Sequence, residues 1–387
     1  MDRLNGWLEA AWQRGIFSRP PIDAEALWAK AACSAPAHGE FGGRSAEDAA
    51  DFRLRLDHLC AALAEEAGLS PLGRTIAHGQ LARVIRQRLH LGALWQERPE
   101  MAATQLAAPI IVVGQMRGGT TRVHRLLAAD PAHAATRFCD SWHPVPPRAS
   151  AVTDLRPLHS ALMLAFARKL DPWLDTIHPF GATRPDEELG WLASALSPCA
   201  YEAQWRVPSY TRWSEARDPA PVYREFARIL ATDAAHRGNA GLPRVLKVPQ
   251  FAEDLPALLA QFPEARVVVA RRDPADVARS ATSLVANQMA MQSDEIGLDW
   301  IEEECRRKVA LREERVQQAL ADFRGPLAQV EFAELDGDWE EAVAGIYRQL
   351  GLSLTPAALA AMRVEQGRAA LSPHNAHAKV YRRFAEV

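Results

Sequence analysis

The sequence predicts an α/β fold in three layers, with a central parallel sheet flanked by helices and a helical region added at the N-terminus. Four short apolar runs stand between polar segments: Pro109 to Gly114, Arg244 to Val248, Arg266 to Ala270 and Ala328 to Phe332. Such runs suit strands covered on both faces. Each is followed by a helix signal, and strand then helix, repeated, builds a parallel sheet. Ligands of such sheets sit beyond the carboxyl ends of the strands.

The helix signals differ in kind. Gly114 is followed by the apolar face Val123, Leu126 and Leu127. Lys247 is followed by Asp254 ahead of Leu255, Leu258 and Leu259. Beyond Ala270, Asp273-Pro274 supplies an N-cap with proline at the first helical position, and beyond Phe332, Asp338 precedes Trp339, Val343, Ile346 and Leu350, with Gly351 as the stop.

The first hundred residues read as helices. Ser45 and Asp48 make an S-x-x-D start before Phe52, Leu56, Leu59 and Leu63, closed by Gly68, and Ser70-Pro71 opens a second stretch through Leu81, Val84, Ile85 and Leu89. Residues 1–105 are therefore expected as a helical region packed on an α/β unit at 106–387. Between about 140 and 240 the strand rhythm fails, and Trp142, Trp173, Trp191, Trp205 and Trp213 are scattered among prolines. A mostly helical insertion accounts for this, either as packing around the sheet or as a lid or apolar acceptor pocket.

Composition limits what such a fold binds. The 387 residues carry 45 basic against 48 acidic side chains, a net charge of −3, so no global field favours nucleic acid or an anionic membrane. Anion binding must be local. Five cysteines, far apart and never as C-x-x-C, fit neither a disulfide scaffold nor a zinc knuckle. No segment has the h-region of a secretory signal or the ~20 apolar residues of a membrane helix. The expectation is a cytoplasmic protein without membrane insertion, nucleic-acid partner or metal, its homo-oligomeric state left open.

The local anion site is written in Gly114-Gln115-Met116-Arg117-Gly118-Gly119-Thr120-Thr121, which joins a buried strand to a helix. Glycines let backbone N–H groups curl around an anion, and the helix N-terminus adds its positive end. The outline is G-x-x-x-x-G, but Thr120 stands where an ATP or GTP loop puts its lysine. Without that charge, a triphosphate with magnesium is poorly served, and Arg117 suits a single phosphate and its substituent. A second site lies at Arg272 through Ser280, where guanidinium and hydroxyl can hold another phosphate. Two separated phosphate sites suggest a nucleotide phosphorylated at both its 5′ and 3′ positions.

These motifs resemble those of the P-loop sulfotransferases, most closely the bacterial branch that uses 3′-phosphoadenosine 5′-phosphosulfate (PAPS). The family loop P-x-[FI]-I-V-G-x-x-R-S-G-T-T-x-x-H-R-L-L is similar to Pro109 through Leu127, and R-D-P-x-[DE]-V-x-x-S to Arg272 through Ser280. Leu246-Lys247-Val248-Pro249 resembles the family's L-K-x-P. His178-Pro179, Asp186-Glu187-Glu188 and Val207-Pro208-Ser209-Tyr210 resemble its middle segment. Met116 and Gly118 depart from the usual proline and serine.

The resemblance implies a P-loop sulfotransferase-like fold and in-line, metal-independent sulfuryl transfer from PAPS to a hydroxyl or amine of a small-molecule acceptor, leaving the 3′,5′-bisphosphate PAP. It implies that Gly118, Gly119, Thr120 and Thr121 hold the 5′-phosphate, with Arg122 beside them. Arg117 steadies the leaving oxygen, Lys247 approaches the sulfuryl oxygens, and Arg272 and Ser280 take the 3′-phosphate. Asp140 stands where relatives place a basic glutamate; His143, His178, Glu187 and Glu188 are alternatives for that role. Two other readings compete: a nucleotide kinase-like enzyme on the same sheet, and a non-catalytic protein that binds a nucleotide or a partner.

Overall fold

The computed structural model describes residues 2–147 and 153–370. Its sheet has five strands: β1 Ile110–Gly114, β2 Ala134–Ala135, β3 Arg244–Lys247, β4 Arg266–Arg271 and β5 Leu327–Glu331. They run in the order β2-β3-β1-β4-β5, and every pairing is parallel. The four apolar runs are strands, as expected. β2 is an addition, and Phe332 begins the helix Phe332–Gly337 instead of ending β5.

Side-chain alternation divides the apolar runs between two layers. Ile111 and Val113 join Leu246, Val267 and Val269 against Trp191, Phe226, Ile229, Phe251 and Leu255 on one face. Ile110 and Val112 join Val245, Val268 and Val330 on the other, against Leu126, Leu127, Ile346 and Tyr347. β1 and β3 are buried along their whole length and β4 through its middle, so they show little polar alternation, whereas β5 alternates buried Ala328 and Val330 with exposed Gln329 and Glu331. Each buried aliphatic contributes roughly 1.5–3 kcal/mol.

The N-terminal helices build a third core. Leu27, Phe52, Leu56, Leu81 and Ile85 pack with Trp205 and Tyr210 from the inserted segment. Polar contacts tie this region to the helix Ala220–Arg237, among them Trp95 donating to Thr232 at 2.8 Å and Arg44 pairing with Glu225 at 2.7 Å. Burial alone would raise the Glu225 carboxyl, but Arg44 and Arg88 overcome it and hold it down to about 2.

Most start signals act as expected. Ser45, Ser70, Asp273 and Asp338 accept from the first-turn N–H groups of their helices. Asp48 takes another role: its carboxylate receives Arg224 at 2.6 Å and Arg228 at 3.2 Å. Asp254 is not a start either. The helix Phe251–Gln261 has already begun, and Asp254 sits at a break within it with φ −120° just before Pro256.

Topology places the candidate site. From β1 the chain passes to β2 and β3 on one side and then crosses to β4 on the other. The crevice between β1 and β4 is thus the switch point where such sheets receive ligands. Gly114 lies in register with Ala270, which makes the loop after β1 and the segment after β4 neighbours.

Candidate active site

The loop after β1 is held in a curled conformation. Arg117 and Gly119 both have left-handed backbone angles, φ 68° and 86°. For Arg117 this costs on the order of 1–2 kcal/mol, sustained only by its surroundings. Gln115 anchors the loop by donating to the Val309 carbonyl at 2.9 Å. At Gly119 a β-carbon would stand 2.5 Å from the Phe332 ring, so the position needs glycine for space as well as for φ. Gly119 is the N-cap of the helix Thr120–Ala128 and gives its first turn no side-chain acceptor. Those N–H groups point to where an anion would sit.

Both halves of the expected nucleotide site meet at Arg117. Its Nε donates to Ser280 Oγ at 2.9 Å, and Arg272 donates to the Arg117 carbonyl at 3.1 Å. The Arg272 guanidinium lies 4.6 Å from the centre of the Phe332 ring, so Phe332 supports both Gly119 and Arg272. Burial, followed by repulsion from Arg272, lowers Arg117 to about 10. An anion between the two cations would offset that cost. Arg122 turns instead toward Asp336, 3.3 Å away.

Lys247, the last residue of β3, is 3% exposed and reaches the loop from the other flank. Its Nζ donates to Thr121 Oγ1 at 3.1 Å and to the carboxylate of Glu187. Glu187 and Asp186 lie with His178 in a group whose ligand atoms are all within 4.8 Å of one another. His178 contacts Asp186 at 3.1 Å, and Arg125 of the loop helix donates to the neighbouring Pro179 carbonyl at 2.8 Å. The middle segment is thereby brought to the loop, which motif order alone does not reveal.

Glu188 supports Lys247 from behind, accepting its backbone N–H at 2.8 Å. It is wholly buried, and burial pushes its carboxyl up to about 8 despite that hydrogen bond. The folded state therefore binds a proton that the unfolded chain releases near pH ~4.3. The stabilisation it gives is complete below that value and disappears as pH rises through about 8. Glu188→Gln, which mimics the neutral acid, should abolish this slope; urea unfolding of both proteins at pH 5 and pH 9 tests it, and parallel losses would contradict it.

Asp140 departs from the expectation of a carboxylate poised to accept a proton. Its side chain has no exposure and receives Arg137 at 2.6 and 2.9 Å, with Arg156 at 3.3 Å and Arg237 at 3.6 Å. Burial alone would raise its carboxyl, but these guanidiniums hold it below the ordinary range. Burial, followed by Arg83, lowers His143 to about 4.

A small cavity of about 50 Å³ lies beside the loop. Met116 and Ala281, next in sequence to Arg117 and Ser280, form part of its wall, and Trp205, Val285, Met289 and Trp300 supply apolar surface. Met289 and Val285 lie on the helix Pro274–Ala290 that carries Ser280. No helix among the described residues is long and apolar enough to cross a membrane.

Comparison with known proteins agrees with this architecture. The structure is similar to that of the sulfotransferase STF1 from Mycobacterium tuberculosis H37Rv, with 28% sequence identity and a TM-score of 0.79, covering 95% of this chain and 100% of that one. It also shares the fold of the sulfotransferase STF9 from Mycobacterium avium, at 22% identity and a TM-score of 0.77, covering 91% of this chain and 89% of the other. No curated protein matches in a sequence search. The model of the sulfotransferase family matches residues 109–356, from the start of β1 to the helix beyond β5, and the chain belongs to that family.

Proposed function

We propose that this sulfotransferase takes PAPS as its donor and transfers the sulfuryl group to a hydroxyl or amine of a small-molecule acceptor, without a metal. The observation that carries this reading is the contact of Arg117 with Ser280 and Arg272. This contact supports a reading in which the two segments share one crevice and hold the separate 5′ and 3′ phosphates of one nucleotide. The loop backbone from Gly118 to Thr121 and the Thr120 and Thr121 hydroxyls would hold the 5′-phosphate, and Arg272 with Ser280 the 3′-phosphate.

In the transfer, the acceptor oxygen or nitrogen forms a bond to sulfur while the bond from sulfur to the bridging oxygen breaks. That oxygen leaves with its electron pair on the bisphosphate, and the acceptor's proton passes to a basic side chain. Negative charge grows on the bridging oxygen, so cationic groups already fixed at the loop lower the barrier. Arg117 and Lys247 are those groups. The acceptor must reach the sulfuryl group on the flank of Lys247 and Thr121, opposite the helix that carries Ser280.

Calorimetry with 3′,5′-adenosine bisphosphate against ATP with magnesium tests the reading. Binding of the bisphosphate alone is expected; binding of ATP alone, or of neither, would refute it. Arg272→Ala should weaken bisphosphate binding by about 1–3 kcal/mol, the scale of a charge-assisted hydrogen bond, with little change in kcat at saturating donor. Unchanged affinity would remove Arg272 from the 3′-phosphate site.

A further inference from the structure

We infer that Glu187 is the base that accepts the acceptor's proton, and that Lys247 keeps it inactive until donor binds. The inference rests on the sulfuryl-transfer reading above. Among the carboxylates and histidines near the loop, Asp140 is enclosed by three guanidiniums, and Glu188 is wholly buried on the backbone of Lys247. His178 is engaged with Asp186. Glu187 differs in its partner: it meets Lys247 Nζ, which itself touches Thr121 at the head of the loop helix. Glu187 is thus one side chain away from the phosphate cradle.

In the ligand-free site, the Glu187 carboxylate is occupied by the ammonium of Lys247 and is not free to meet an acceptor's O–H or N–H. The donor brings anionic oxygens to the same ammonium. Two anionic groups then compete for one cation, and movement of Lys247 onto the sulfuryl oxygens frees the Glu187 carboxylate for the acceptor. In the reaction, the acceptor O–H or N–H bond breaks, its proton goes to a Glu187 oxygen, and its electron pair forms the new bond to sulfur. The bridging oxygen departs with the electrons of the broken bond. Catalytic competence therefore follows donor binding, which prevents an activated acceptor from waiting in an empty site.

Glu187→Gln separates this from a structural role because two quantities move in opposite senses. Turnover should fall by about 10²–10⁴-fold, the contribution of a positioned general base. PAPS affinity, measured by calorimetry without acceptor, should rise by about tenfold, because Lys247 no longer has to leave a charged partner. A structural defect would weaken both. Weakened or unchanged PAPS affinity, or undiminished turnover, overturns the inference. A crystal structure of the wild type with PAPS gives an independent test that needs no variant: Lys247 Nζ is expected on donor oxygens and off Glu187, and an intact Lys247–Glu187 pair would refute the switch. If the wild type binds neither PAPS nor the bisphosphate, the sulfuryl-transfer reading falls, and this inference with it; binding of the nucleotide with an unmoved lysine defeats the switch alone.

Discussion

Asp140→Asn is expected to lower the stability of the folded chain by about 3–5 kcal/mol, as the loss of one member of a buried ion cluster does. The carboxylate receives Arg137, Arg156 and Arg237, and those side chains come from three separate parts of the chain. Asparagine would leave their charges without the anion that compensates their burial and would turn an N–H₂ group toward guanidinium donors. Urea unfolding at neutral pH measures the loss. Its sign with pH is fixed: a carboxyl held below its ordinary range gives stability above the unfolded value of ~3.9 and surrenders it as pH falls through the folded value. The deficit of Asp140→Asn should therefore narrow in strong acid. If instead stability is unchanged while turnover collapses, Asp140 is the base after all.

The same residue shows where reading the sequence stops. The phosphate loop was legible because its chemistry is local: a strand, glycines at a turn and a helix start lie within about a dozen consecutive residues, and Arg117 with Gly119 adopts the left-handed angles the curl requires. The apolar runs were equally legible because strands covered on both faces carry little polar alternation. β2 was not. Ala134–Ala135 is two residues long, and it is a strand only because β3 lies beside it. Motif position brought Asp140 near the loop in sequence but gave no direction for its side chain. That direction is set by Arg137, three residues earlier, together with Arg156 and Arg237, which do not adjoin the motif.

Long-range pairs were hidden for a related reason. Lys247 and Glu187 each belonged to a recognisable segment, yet their contact follows from β3 lying next to β1 and from the middle segment folding back across the loop helix at Arg125 and Pro179. Phe332 gave no signal of its role, since an apolar residue at the end of a strand run looks like more strand. The scattered tryptophans serve packing. Trp191 and Trp205 are completely buried in core clusters, and Trp205 also lines the cavity beside Met116.

Lys247→Met should cost about 10²–10³ in kcat, the range for removal of a preorganised donor that meets charge in the transition state. The contrast with Arg272→Ala is one of position. Arg272 stands just before Ser280's helix, and on the proposed reading it holds the 3′-phosphate and not the transferring group, so its loss would appear in donor affinity. Lys247 meets Thr121 at the opposite flank of the crevice, where the sulfuryl group must sit if the phosphate occupies the loop. Methionine keeps the length and apolar stem of the buried side chain, so packing is largely preserved. Bisphosphate affinity should consequently change much less than kcat. Steady-state kinetics of Lys247→Met beside the wild type decides the matter. A kcat within threefold of the wild type for Lys247→Met would place the lysine in the fold and outside the chemistry.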